Sequence, residues 1–351
     1  MQGVVFLGDR KLEIRDFEDP VPGPGEVVLE IRASGMCGSD LKFYRAREGA
    51  KSLGFVMAGG PVIAGHEPSG VVVAVGTEVQ ANEAWVGMRA MQHHYQGCGV
   101  CPHCTTGWMQ MCDEGVKSVY GITAHGAHAR YMKCPARTLV ALPEELSFRA
   151  GAAISCGTGT AYAALERLDL RPRHTIAIFG QGPVGLSATQ LAHATGARVI
   201  ALDTDARRLA RACEFGADET INPAECGDVP GAVRELTRGF GAECTLETSS
   251  APQARRAAVQ CLRKWGRACL VGEGGAIELD VSNDLLRKQA TLIGSWTFST
   301  TGQAECARYI ADRGIDVDAL FTHEWKLADA ERAYAMFDAQ SEGKGVFLPD
   351  A

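Results

Sequence analysis

No stretch of this 351-residue chain approaches eighteen uninterrupted apolar residues, so no membrane-spanning helix is expected. The chain also lacks low-complexity tracts and blocks of like charge, which argues against a disordered or fibrous protein. It lacks a basic footprint as well. The formal charge of −7 is spread along the chain, so neither a nucleic acid nor a membrane surface is an expected partner. Ahead of the first strand there is no basic segment leading into a long apolar core, and a cytoplasmic protein is expected. What is present is a globular composition, 46% hydrophobic and 22% charged, in a chain long enough for two domains with a core each. Thirteen cysteines in a reducing compartment point to metal binding before disulfides.

The most informative stretch is Thr175-Ile-Ala-Ile-Phe-Gly180-Gln-Gly182-Pro-Val-Gly185, an apolar β-type run that breaks into G-x-G-x-x-G and continues as the amphipathic segment 186–195. A strand that stops at a glycine turn and restarts as a helix aims backbone N–H groups and the positive helix end at one point, which suits a pyrophosphate. With 41 glycines in the chain the pattern alone is weak, but its context strengthens it. A second strand candidate, Arg198–Leu202, ends in Asp203, where a carboxylate can accept hydrogen bonds from an adenosine ribose. Asp203 repels a 2′-phosphate and no arginine follows it immediately, so NAD is favoured over NADP; Arg207 and Arg208 stand nearby. The competing reading is a glycine turn in an ordinary βαβ unit.

In chain order, the first 35 residues alternate apolar and polar in short runs broken by Pro20-Val-Pro-Gly-Pro-Gly, which predicts a mostly antiparallel β module. Cys37 and His66 follow, each at the edge of a glycine turn. Both are ligand types that zinc prefers, and two such residues leave open a buried thiol and a satisfied histidine. Cys98, Cys101, Cys104 and Cys112 then give C-x2-C-x2-C-x7-C. One loop of that spacing can wrap four sulfurs around a zinc ion with no open position, a structural site; an iron–sulfur cluster is the weaker alternative. The segment 124–132 reads as a strand, with His125 and His128 structural, and Ser147 as the N-cap of a helix near a domain transition. Cys156, at another glycine-rich helix start, is a third candidate ligand. From residue 173 to about 272 strands and helices alternate, the pattern of a doubly wound parallel sheet with the glycine turn in its first βα connection. The tail, with its last apolar run in Gly343-Lys-Gly-Val-Phe-Leu, is a candidate to rejoin the first domain.

With Cys37, Gly65-His66-Glu67, the four-cysteine loop, Cys156 and Gly180-x-Gly182-x-x-Gly185 together, the chain resembles the zinc-dependent medium-chain alcohol dehydrogenases over nearly its full length. The resemblance implies an α/β protein: a GroES-like, β-rich catalytic domain of about residues 1–150 and 291–351, and a Rossmann NAD-binding domain of about 151–290. It places Cys37, His66 and Cys156 on a catalytic zinc, with Glu67 beside the metal and Asp40 orienting His66; Asp40 is equally readable as the N-cap of the helix that follows it. Two zinc ions per chain are implied, three ligands keeping one open and four thiolates closing the other.

The resemblance further implies that Ser39 takes the substrate proton and passes it through the cofactor ribose to an outer base. That outer base is commonly histidine in the family and is Lys42 here, so the relay through Lys42 competes with direct loss to water. For the cofactor it adds Pro183 and Val184 at the pyrophosphate turn, Arg208 near the adenosine, Thr160 on the nicotinamide side, and Gly272, Glu273, Ser295 and Trp296 near the nicotinamide. Phe55, His94, Trp296 and Phe298 are pocket-lining candidates, and their aromatic character suggests a bulky or cyclic secondary alcohol. The expected activity is hydride exchange between an alcohol and NAD in a homodimer or homotetramer acting on a small molecule. The alternatives are a polyol, sugar or amino-alcohol dehydrogenase of the same family, against which Cys156 stands because sorbitol-type members carry glutamate there, and a zinc-free quinone reductase or non-catalytic NAD-binding protein.

Overall fold

A computed structural model describes residues 1–47, 51, 52, 55, 56, 60–339 and 343–349. The chain forms two compact units, Met1–Gly159 with Phe298–Ala351, and Thr160–Thr297. The sequence reading set these divisions near 150 and 291. Cys156 stays in the first unit because its neighbour Ser155 donates its hydroxyl to the carbonyl of Pro68 at 2.8 Å. Phe298 stays there because it is fully buried with its ring edge-on to His93.

The first unit is built on the strand Glu26–Gly35. Its alternating Val27, Leu29, Ile31 and Ala33 are buried, as period-two patterning requires. Among the described residues its sheet has the strand order Leu139–Ala141, Arg89–Gln92, Pro68–Val75, Glu26–Gly35, Lys344–Phe347, Phe321–Trp325, and Tyr131–Pro135 also pairs with Glu26–Gly35. All these pairings are antiparallel except Phe321–Trp325 with Lys344–Phe347. The tail does rejoin this sheet, with Val346 opposite Gly35.

One strand assignment needs correction. Residues 124–130 make only isolated bridges and the ladder begins at Tyr131. Gly126 is why: a Cβ there would lie 2.1 Å from the carbonyl of Gly65, so the chain passes too close to its neighbour for an ordinary strand. Ser147 caps the helix Phe148–Ile154 through the N–H of Ala150, as read from the sequence.

The second unit is a parallel sheet of strand order Glu219–Ile221, Arg198–Leu202, Thr175–Phe179, Ala242–Glu247, Leu262–Leu270, Thr291–Gly294. Numbered along the chain this is 3-2-1-4-5-6, the doubly wound order that places ligands where the strand sequence reverses, beside Thr175–Phe179. The near-continuous apolar strands, such as Ile176–Phe179, are buried because helices cover both faces. Among the described residues no helix is long and apolar enough to cross a membrane.

His128 sits in the interior of the first unit, fully buried, with Nδ1 2.8 Å from the Ser34 hydroxyl and Nε2 2.7 Å from the Tyr334 hydroxyl. Burial holds its ring down to about 4, below the usual 6.5. Unfolding therefore takes up a proton between those values, so the contribution of neutral His128 is complete above pH 6.5 and is lost as pH falls toward 4, by up to roughly 3 kcal/mol. Urea titrations between pH 7 and 4 should show this slope in the native chain and a shallower one in His128→Gln; equal slopes would assign the acid sensitivity elsewhere.

Candidate metal and dinucleotide sites

The four-cysteine loop spans residues 97–112. Its sulfurs lie within 4.8 Å of one another, with Cys98 and Cys104 at 4.0 Å and Cys101 and Cys112 at 4.0 Å. Disulfide sulfurs sit at about 2.0 Å, whereas four sulfurs tetrahedrally placed about 2.3 Å from a zinc ion are about 3.8 Å apart. The backbone fits the same occupant. The N–H of Cys98 donates to the Cys112 sulfur at 3.2 Å, that of Cys101 to the Cys98 sulfur at 3.3 Å, and that of Cys104 to the Cys101 sulfur at 3.5 Å. Such donors favour thiolates; that from Cys104 leads the causes that hold the Cys101 thiol down to about 6.

The second cluster is assembled from distant parts of the chain. Cys37 follows the strand Glu26–Gly35, His66 and Glu67 precede Pro68–Val75, and Cys156 precedes the helix Gly157–Arg167. One ligand atom from each lies within 4.8 Å of the others, and the Cys37 and Cys156 sulfurs are 3.8 Å apart. Gly65 makes the approach possible: its φ is +90°, and a Cβ would meet the His128 ring at 2.3 Å. The two thiols share a proton. The Cys156 hydrogen bond is the first cause holding Cys37 well below its ordinary range, and the same bond, with burial, raises Cys156. Burial disfavours the His66 cation, but the Asp40 carboxylate and Cys37 outweigh it and raise the ring well above its usual value.

Asp40 sits 2.8 Å from His66 Nδ1 through Oδ1, while its Oδ2 accepts the N–H of Cys37 at 2.8 Å. It is the first residue of the helix Asp40–Arg45, whose N-cap is Ser39, so the N-cap reading of Asp40 gives way to contact with the histidine. His66 Nε2 is left facing the cluster. Ser39 Oγ lies 3.1 Å from that nitrogen and 3.2 Å from the Cys37 sulfur. Lys42 is half-buried one turn along the same helix, its N–H donating to the Ser39 carbonyl.

Sequence reasoning passed over Lys344. Only 2% exposed, its ammonium lies 2.5 Å from Glu67 and donates to the carbonyl of Met36 at 2.8 Å. Glu67 has no exposed surface; burial pushes its carboxyl up to about 7 against the pull of Lys344. A lone lysine inside the apolar run Lys344–Phe347 was the available signal.

Among the pocket candidates, His94 is 3% exposed, its ring 5.1 Å from that of His66 and its Nδ1 without a hydrogen-bond partner among the described residues. Burial, first, and the neighbouring His66 and His93 hold it well below 6.5, in the neutral form. Phe298 is interior, as described above, and Trp296 is 38% exposed in the second unit. The side chain of Phe55 lies outside the described residues.

In the second unit Gly180, Asp203, Gly272, Glu273, Ser295 and Trp296 all follow the carboxyl ends of parallel strands. Three glycines serve three needs. Gly180 has φ +89°, a Cβ on Gly185 would lie 1.8 Å from the Gly180 carbonyl, and Gly182 faces open space at the N-cap of the helix Pro183–Thr195. Turn, close helix packing and room for a pyrophosphate are the demands of a dinucleotide site. Pro183 and Val184 form the first turn of that helix. Asp203 Oδ2 accepts the Gln181 N–H at 2.7 Å and lies 3.8 Å from Arg208. Thr160 is buried in the helix Gly157–Arg167. Glu247 and Arg255, also passed over, tie this edge together: Glu247 accepts the N–H groups of Ser249 and Ser250, and Arg255 donates to the Gly272 carbonyl at 2.7 Å.

A β-rich unit carrying two cysteine-containing donor clusters, in one chain with a doubly wound dinucleotide fold, defines a class of zinc-binding dehydrogenases. Residues 23–144 match the alcohol dehydrogenase GroES-like domain and residues 183–312 the zinc-binding dehydrogenase family. The chain is 35% identical to an uncharacterized zinc-type alcohol dehydrogenase-like protein, YphC of Escherichia coli (strain K12), over 100% of its own length and 99% of that protein. It is 32% identical to an L-threonine 3-dehydrogenase of Symbiobacterium thermophilum, covering 97% of each. Its fold overlays the alcohol dehydrogenase TADH from Thermus sp. ATN1 with a TM-score of 0.90 at 27% identity, covering 100% of both. The chain belongs to the zinc-dependent medium-chain alcohol dehydrogenase family and is an oxidoreductase.

Removing the Lys344 ammonium takes from buried Glu67 its strongest counter-charge and leaves it only the His66 ring. Lys344→Met should destabilise the chain by about 3–5 kcal/mol, read as a lower urea midpoint with unchanged slope; a loss under about 1 kcal/mol would mean that Glu67 is already neutral.

Proposed function

We propose that this protein is an NAD-dependent alcohol dehydrogenase with two zinc ions per chain, interconverting a secondary alcohol, bulky or cyclic, and its ketone. The observation that carries the reading is the convergence of Cys37, His66 and Cys156, three N and S donors from separate segments, on one buried point. Three such ligands leave zinc a position for substrate, whereas Cys98, Cys101, Cys104 and Cys112 close theirs. When bound, the open-site metal would lower the pKa of an alcohol hydroxyl, and the nicotinamide would accept hydride from the carbon bearing it.

The protein's own groups do the rest. Asp40 holds the His66 tautomer that leaves Nε2 toward the metal. Ser39, within hydrogen-bond reach of Nε2, is the hydroxyl placed to take the substrate proton, and Lys42 on the same helix is the outer base that receives it. Glu67, neutralised by Lys344, stands beside the three donors as a reserve ligand. Asp203 favours NAD by offering its carboxylate where NADP carries a phosphate. The edge strand Thr291–Gly294, with Leu292 40% exposed, supports a homodimer or tetramer formed through this edge. The cytoplasm, which keeps these thiols reduced, is the compartment the reading requires.

A polyol or amino-alcohol substrate is the second reading. It is favoured by the bare Nδ1 of neutral His94 beside His66, an acceptor for a second hydroxyl or an ammonium, and by the L-threonine 3-dehydrogenase relative.

Metal analysis should give two zinc ions per purified chain, with Cys156→Ser and Cys101→Ser each falling to one. Cys156→Ser should lose at least about 100-fold in turnover, as expected when a Lewis-acid site is dismantled. A metal-free active chain would remove the proposal. A panel of cyclic and branched secondary alcohols, polyols and β-hydroxy amino acids, assayed with NAD and NADP, separates the two substrate readings; turnover confined to polyols or amino alcohols selects the second, and a preference for NADP overturns the cofactor choice.

A further inference from the structure

We propose that the Tyr334 hydroxyl, on the C-terminal helix Ala330–Asp338, is a positioning group for the His66 imidazole, acting through Asp40, with its own direction set by His128. The proposal rests on the reading of Cys37, His66 and Cys156 as a metal set.

The groups form one buried chain. Ser34 Oγ is 2.8 Å from His128 Nδ1, His128 Nε2 is 2.7 Å from the Tyr334 hydroxyl, that hydroxyl is 3.2 Å from Asp40 Oδ2, and Asp40 Oδ1 is 2.8 Å from His66 Nδ1. Ser34, His128 and Tyr334 have no exposed surface and Asp40 has 2%, so water cannot substitute for a missing partner.

Proton counting leaves one arrangement with a neutral His128. An ionised Asp40 only accepts, so Tyr334 spends its single proton on Oδ2. The tyrosine oxygen must then accept from His128, whose N–H is at Nε2. That leaves Nδ1 bare, and it accepts the Ser34 hydroxyl. With Oδ2 occupied by the Cys37 N–H and the Tyr334 hydroxyl, Oδ1 is left to face His66 Nδ1 at 2.8 Å. The imidazole is thereby oriented with Nε2 toward the thiols.

The helix carrying Tyr334 is held independently at its far end, where Arg45 donates to the Asp338 carbonyl at 3.0 Å and Arg10 to its carboxylate at 2.8 Å. The Tyr334 ring also packs edge-on to Phe6 at 4.8 Å. Tyr334→Phe therefore removes the hydroxyl while leaving the ring and the helix in place.

The test is zinc release from the full-length two-zinc protein into a chromophoric chelator, followed ion by ion, with the four-cysteine site as internal reference. Outer partners of a metal-bound histidine are worth 10- to 100-fold in affinity, and Tyr334 is one hydrogen bond further out. Tyr334→Phe should thus speed release of one zinc by about 3- to 10-fold and leave the other unchanged. Asp338→Asn, which loosens the same helix at its other end, should change neither rate selectively. Cobalt substituted at the open site should show a shifted visible spectrum in Tyr334→Phe. Equal acceleration of both ions, or no acceleration with an unshifted cobalt spectrum, overturns the positioning role. A native chain that holds zinc only at the four-cysteine loop overturns the metal reading and this proposal with it.

Discussion

Four donor groups, the half-buried Cys37 and the buried His66, Glu67 and Cys156, lie within 4.8 Å of one another, and the first unit is arranged around making that tolerable. Thiolates and a carboxylate buried together repel each other and lose their hydration. The chain answers with an ammonium at Lys344, a histidine tied to Asp40, and a thiol pair that shares one proton. Each answer comes from another part of the chain. The C-terminal strand brings Lys344, the helix after Cys37 brings Asp40, and the pairing of Val346 with Gly35 places the ammonium where the carboxylate needs it.

The second unit meets a simpler requirement. A phosphate-binding turn needs backbone with nothing in front of it, and Gly182 supplies open space while Gly180 and Gly185 let strand and helix close up behind. Asp203 contributes twice. Its carboxylate is the group proposed to read a ribose, and it holds the Gln181 N–H so that the turn is formed before any ligand arrives.

The glycine motif, the four-cysteine loop and the βαβ alternation were legible because each is local. The strands Thr175–Phe179 and Arg198–Leu202 and the helix Pro183–Thr195 have the ends that periodicity and capping predict. Segment 124–130 was misread because its apolar and polar alternation says nothing about the backbone of Gly65, which passes too close to Gly126 for a ladder. Lys344, Tyr334 and His128 were not singled out from the sequence because the partner each one meets in the interior lies more than 200 residues away along the chain.

By itself the sequence determined which chemistry the chain carries: ligand types, loop spacing and glycine positions are properties of short segments, and short segments have few ways to fold. Only the tertiary structure decided between Asp40 as a helix N-cap and Asp40 as the partner of His66, and which cation compensates Glu67. Those are contests among buried groups, settled by distances of about 3 Å between residues whose separation along the chain imposes no preference.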